Sequence, residues 1–486
     1  MNNKKGISRR TFLRRSSEAS LASMFAAHSI GLTGLLGASK SMADMGDYRA
    51  LVFIMLKGGN DSFNMVLPSG AGSLRASYEQ GRGIVALPNE GLQALNLADP
   101  AQIYGGTQST DFAMHPQCPQ MAEIFNAGEM SVLCNVGNLI QPVTRNEWFD
   151  GNASVPPRLF SHSDQQRQTQ SQPDDPFLYG WGGRMAEINE PYNSDPNVSP
   201  LISMAGLNSF QITRDSLINT YVMGNDGAVS LYGFNGARQA MVESSMQSVD
   251  SASHLMEQKY KNVYDSARQA QAVVGSAFDL AETTGVDYDA IFDAAGTNNS
   301  KISRRLKTVA KMIAGRAATS NSRPVFFVEL TGFDNHQKLL GDHSQRMAEL
   351  NSALKGFRDV LVAQSDFDKT LSYVTSEFAR TFTANGDDND AGTDHGWGGH
   401  ALVMGDMVNG GKFFGQHPDL RLDEGLDTGR GRWIPTTSNT QIAAVIANWM
   451  GVNQANLGEL FPTLSNFSSP FEEGTNLDFI NGGLSL

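Results

Sequence analysis

Five short stretches carry side chains able to act together: Asp61 behind Gly58-Gly59, Phe160-Ser161-His162-Ser163-Asp164, Asp334-Asn335-His336, Glu377 ahead of Arg380, and GTDHGWGGH at 392–400. The carboxylates of Asp61, Asp334, Glu377 and Asp394 and the imidazoles of His336, His395 and His400 offer oxygen and nitrogen donors of the kinds that Zn, Mn and Mg ions take. One or two such ions can steady the attacking and leaving oxygens of a displacement at phosphorus or sulfur, two ions standing about 3.5–4 Å apart. A covalent route needs a nucleophile, and Ser161 stands just before the polar, helix-forming run QQRQTQS. A hydroxyl there has backbone N–H groups and the positive end of a helix dipole to receive an anion. Arg145, Arg158 and Arg167 are nearby candidates for holding substrate oxygens.

Each motif also has an ordinary structural use. Asp61 and Ser161 suit helix N-caps, Asp334 and His336 suit loop amides, and Glu377 suits an ion pair with Arg380. His395 and His400 are five apart in a glycine-rich loop, which is not the spacing of a helical His-x-x-x-His zinc site. What favours chemistry is the set of elements that must deliver these residues. Continuous apolar runs at 49–56, 130–138 and 324–330, and LSYVTSEF from Leu371, read as strands buried on both faces of a parallel sheet. They end at Asp61, at Asn138, at Asp334 with His336, and at Glu377. A fifth strand is expected from His400 to Gly405, directly after the glycine-rich motif.

Helical periodicity fills 254–284, 301–316, 344–363 and 439–450, so strands alternate with helices as in an α/β fold with a mostly parallel central sheet. In an open parallel sheet the strand C-termini gather along one edge, where ligands bind. Residues more than 300 positions apart would meet there. The stretch 201–300 is expected to be a helical insertion that builds a cap or a small subdomain and shapes the substrate pocket, and no linker divides the rest. The acidic loop 386–392 lacks the ordered ligand pattern of a calcium loop and reads as solvated surface.

Composition narrows the partners. A chain of 486 residues that is 40% hydrophobic can bury a sizeable core, and a net charge of −13 argues against a nucleic-acid partner. Cys118 and Cys134 are the only cysteines and have no cluster or haem-attachment spacing, which excludes cysteine-bound redox cofactors and leaves open a disulfide or two buried thiols. Ser8-Arg9-Arg10-Thr11-Phe12-Leu13, a weakly apolar segment and Ser41-Met42-Ala43 read as a twin-arginine export signal cleaved after Ala43. Residues 1–43 would then be the signal and 44–486 the mature domain, exported to the periplasm through the twin-arginine translocase.

The motifs LVFIMLKGGNDSFNMVLP, DFAMHPQ, FSHSDQ, GFDNH, TSEFART, GTDHGWGGH and GRWIPTTSNTQ, in this order, resemble the bacterial family DUF1501 over nearly the whole mature chain. That family is placed in the alkaline phosphatase–sulfatase superfamily. The resemblance implies that Asp61 is the first-strand metal aspartate, Ser161 the nucleophile, Asp334 and His336 a metal pair, and His395 or His400 the last histidine. Glu377 and Phe378 stand where the superfamily usually shows Asp-His, and Asp394-His395 is an alternative source of that pair. The expectation is a metal-dependent hydrolase or transferase acting on a small anionic phosphate or sulfate ester. Its rival is a non-catalytic cell-envelope protein with a degenerate metal site, and a redox metalloprotein with a mononuclear His and carboxylate site is a third.

Overall fold

A computed structural model describes residues 47–106, 111–175, 179–193, 198–214, 218–227, 235–297 and 299–481. The expected export signal lies outside them. The central sheet is built from β1 (Ala50–Lys57), β5 (Met130–Gly137), β6 (Leu201–Ser203), β7 (Tyr221–Val222), β8 (Val325–Thr331), β9 (Thr370–Ser376), β10 (Gly399–Met404), β11 (Phe413–Gly415) and β12 (Thr437–Ser438). Strands β2 (Val66–Pro68), β3 (Gln93–Leu95) and β4 (Phe112–Met114) form a small separate sheet. The central order is β11-β5-β10-β9-β1-β8-β6-β7, with β12 beside β5.

Every pair in this sheet is parallel except those made by β10, which runs antiparallel to both β5 and β9. The chain is thus α/β with a mixed, mostly parallel sheet, as its alternating pattern predicts. The exception matters for the site. Because β10 is reversed, its beginning lies at the edge where its neighbours end, with Gly399 opposite Val136. The register also aligns Lys57 with Thr331 and Leu56 with Ser376. Loops 58–61, 332–336, 377–380 and 392–398 therefore leave the sheet along one edge.

β1 is buried along its length because its apolar residues face layers on both sides. Phe53 stacks on Phe210 at 4.5 Å and on Phe327 at 5.7 Å, and meets Tyr373 and Trp181 edge-on. These rings tie β1 to both of its neighbouring strands and to the Trp181–Ile188 helix. The helix Asn439–Trp449, buried from Thr440 onward, packs into the same core, and Ser438 closes a capping box at its start. The 201–300 stretch opens with the sheet strands β6 and β7, followed by the helices Gly236–Gln247 and Leu255–Glu282. Cys118 and Cys134 are both buried free thiols.

Beside the sheet edge, His343 Nε2 donates to Asn60 Oδ1 at 3.0 Å, and its ring meets His115 edge-on. Burial lowers both imidazoles from 6.5 to about 3. They stay neutral when folded and take up protons only on unfolding, so acid favours the unfolded chain. Stability is expected to fall as pH drops from about 6.5 towards 3, by roughly 1.4 kcal/mol per pH unit for each histidine. Urea midpoints at pH 7 and pH 5 check this. The drop between the two midpoints should narrow when His343 is replaced by glutamine, because one of the two pH-dependent groups is gone.

Candidate metal centre

At the shared edge, the ring nitrogens of His162 and His395 and a carboxylate oxygen of Asp334 all lie within 4.8 Å of one another. His162 opens the Pro- and Gly-free helix His162–Gln170, Asp334 follows β8, and His395 precedes β10. His336 joins this group: its Nε2 is 3.1 Å from Asp334 Oδ1 and 3.1 Å from His395 Nε2. His395 Nε2 stands 3.3 Å from the same Oδ1, and His162 Nε2 stands 3.3 Å from Oδ2.

The opposite nitrogen of each ring faces an acceptor. His162 Nδ1 is 2.9 Å from Glu377 Oε1, His336 Nδ1 is 3.0 Å from Asp394 Oδ1, and His395 Nδ1 is 2.7 Å from the carbonyl oxygen of Phe160. Burial alone would raise Glu377, but hydrogen bonds from His162, Gln166 and the Gly58 amide hold it below the usual carboxylate range. Asp394 is likewise drawn down to about 2, its burial outweighed by Arg430, Asn385 and His336. The hydrogen bond to Glu377 raises His162, whereas burial lowers His395. The ring of Phe378 packs against both of these histidines at 4.9 Å and walls the cluster on one side.

Backbone detail places these groups. Arg158 and Phe160 both take left-handed φ values, 56° and 70°, and this turn brings the Phe160 carbonyl to His395. The buried Arg380 donates to Asp334 Oδ1 at 2.7 Å and to Gly58 O at 3.2 Å, and it also binds the carbonyl of Thr393. One residue thus ties its own loop to the other three. Gly58 has φ 121°, and a Cβ there would lie 2.4 Å from the Asp334 amide nitrogen. Gly58→Ala is expected to cost about 1–3 kcal/mol through strain and to displace Asp334. A lowered urea midpoint together with weakened zinc uptake in the soluble variant would check it; unchanged zinc uptake would count against this role.

Ser161 is the N-cap residue of the His162–Gln170 helix, yet its hydroxyl makes no cap bond to the helix backbone. It donates instead to Asp164 Oδ2 at 2.6 Å. Arg158 is mostly exposed, 3.5 Å from Asp164 Oδ1, and Arg145 donates to the Asp427 carbonyl at 2.9 Å.

The remaining sequence candidates are placed elsewhere. Asp61 is fully buried and hydrogen-bonded to the equally buried Arg82, not to the imidazole group. His400 falls at the irregularity in the β10 ladder between Gly399 and Ala401, which turns its ring into the core. There it stacks on His417 at 4.9 Å and meets Phe63 edge-on, and burial keeps it well below 6.5. Glu377 and Asp394 touch the cluster only through the Nδ1 sides of His162 and His336. His162 itself was not singled out by the strand-end pattern, because it begins a helix. Its available signal was an imidazole between the two serines of FSHSDQ.

As a donor set, imidazole nitrogen with one carboxylate suits a divalent cation of the zinc class. The profile of the family DUF1501, described as a protein of unknown function, matches residues 48–430. No curated protein matches the sequence. Among solved structures, the lipoteichoic acid synthase LtaP from Listeria monocytogenes is 7% identical, with 88% of this chain and 81% of that one covered and a TM-score of 0.34. The PsFucS1 sulfatase from Pseudoalteromonas sp. is 10% identical, with coverage of 93% and 76% and a TM-score of 0.33.

Proposed function

Starting from the fact that this chain belongs to the DUF1501 family, we propose that it is a metal-dependent hydrolase or transferase acting on a phosphate, sulfate or related anionic ester. The observation that carries this is the convergence of His162, Asp334 and His395 one residue from a hydroxyl held by a carboxylate. His162, Asp334 and His395 would hold the cation, which when bound supplies Lewis-acid polarisation of an ester oxygen. Ser161 attacks phosphorus or sulfur, and Asp164, already its hydrogen-bond acceptor, takes the hydroxyl proton. The positive end of the nine-residue helix behind Ser161 faces the anionic group. The ester oxygen leaves with a proton, and water or an acceptor alcohol then releases the group from the serine.

Export through the twin-arginine route would place this chemistry in the periplasm, with the ester an envelope component or a small solute. A second reading, a non-catalytic envelope protein that binds a metal, draws support from Asp61, whose carboxylate is committed to Arg82. The two separate on a panel of phosphate and sulfate esters offered to zinc- and manganese-loaded protein. The enzyme reading expects turnover that falls by about 1,000-fold or more in Ser161→Ala, the scale of losing an activated nucleophile. Metal-loaded wild type inert on every ester would favour the binding protein.

A further inference from the structure

We infer that the cluster is a site for a single zinc-class ion held by four donors, the Nε2 atoms of His162, His336 and His395 and a carboxylate oxygen of Asp334, with Glu377, Asp394 and the Phe160 carbonyl as its outer partners. This rests on the cluster being a metal centre and is independent of the ester reaction. The outer groups decide which nitrogen carries hydrogen. A carbonyl oxygen can only accept, so His395 carries its proton on Nδ1, 2.7 Å from Phe160 O. Carboxylate oxygens of Glu377 and Asp394 stand 2.9 and 3.0 Å from Nδ1 of His162 and His336 and favour the same tautomer there. With Nδ1 turned to these acceptors, each ring presents its Nε2 to the Asp334 carboxylate.

Two of those Nε2 atoms, on His336 and His395, face each other across 3.1 Å. Two acceptor nitrogens at that distance need either a shared proton or a cation between them. His162 Nε2 is buried and has no hydrogen-bond partner. The separations have the size that zinc requires. Bonds of about 2.0–2.1 Å in a tetrahedron set neighbouring donors about 3.3 Å apart. Asp334 Oδ1, His336 Nε2 and His395 Nε2 are 3.1, 3.1 and 3.3 Å from one another, which makes one face of such a tetrahedron. His162 approaches from the other carboxylate oxygen, at 3.3 Å.

Three imidazoles and one carboxylate discriminate against Mg and Ca, which prefer all-oxygen shells. A carboxylate or carbonyl behind each ligating imidazole is the usual second layer of a zinc site. Among the described residues a second ion has no comparable donor set at this edge, since Asp61 pairs with Arg82 and His400 faces the core.

The test is zinc titration of the metal-stripped full chain with a competing chelator, beside the visible spectrum of the cobalt-loaded protein. One equivalent of zinc and an intense four-coordinate cobalt spectrum are expected. His336 is half-exposed, so His336→Ala should stay folded by circular dichroism while losing more affinity than Asp394→Ala, whose loss should be roughly 10–100-fold. Two equivalents, none, or an affinity unmoved in His336→Ala would overturn the assignment, as would a His336–His395 pair that shares a proton in place of a metal. One equivalent of zinc with no ester turnover would support this site and count against the reaction proposed above.

Discussion

Alanine at His162 is expected to abolish tight zinc binding and, with it, ester turnover, while leaving the protein folded. His162 is partly exposed and sits at the first position of its helix, so truncation leaves the sheet and its core rings untouched. What it removes is one of three grouped donors and the partner that Glu377 faces. Glu377 keeps hydrogen bonds from Gln166 and the Gly58 amide, which limits the structural cost. The loss of metal affinity should exceed the roughly 10–100-fold seen when only an outer partner is removed. Chelator competition and thermal melts on the same sample separate the two effects. Retention of wild-type zinc affinity in His162→Ala would mean that the imidazole does not ligate.

The second large effect concerns stability. Asp61 and Arg82 form an ion pair with both side chains fully buried, and Arg82 also donates to the Phe382 carbonyl at 3.0 Å. Burial raises the Asp61 carboxyl, and Arg82 opposes that by pairing with the charged form. Arg82→Met leaves a buried carboxylate without its partner, and the expected cost is about 3–5 kcal/mol. Replacing both members, Asp61→Leu with Arg82→Met, should recover a large part of it, because the uncompensated charge is gone. Urea unfolding of the two single variants and the double variant measures the coupling. If Arg82→Met cost under about 1 kcal/mol, well short of the usual penalty for a broken buried pair, this account of Asp61 would fail. If instead Asp61 were needed for metal, Asp61→Asn would lower zinc affinity by more than its loss of stability explains.

The fold was legible because its strands are continuous apolar runs and its helices are long and periodic. The runs at 49–56, 130–138, 324–330 and from Leu371 correspond to β1, β5, β8 and β9. Short strands such as β6, β7, β11 and β12 carry too few residues to show a period, and so went unread. Strand direction was also hidden. The apolar piece after GTDHGWGGH looked like one more strand of a parallel sheet, whereas β10 is antiparallel, and that reversal is what brings His395 to the common edge.

For the site, the strand-end pattern located Asp334, His336, Glu377, Asp394 and His395 in one neighbourhood. It could not assign inner and outer places among them, because that depends on ring orientation. Glu377 is fully buried behind His162, and Asp394 lies behind His336 between that ring and Arg430. Nor could spacing tell His395 from His400. The two are five residues apart, yet the ladder irregularity at Gly399 to Ala401 sends one ring to the cluster and the other into an aromatic core with His417 and Phe63.

The most direct measurement is anomalous diffraction at the zinc edge from crystals of the zinc-loaded protein. One peak is predicted, surrounded by Nε2 of His162, His336 and His395 and an oxygen of Asp334, with none at Asp61 or His400. A peak elsewhere, a second peak of equal height at the sheet edge, or no peak at all would contradict it.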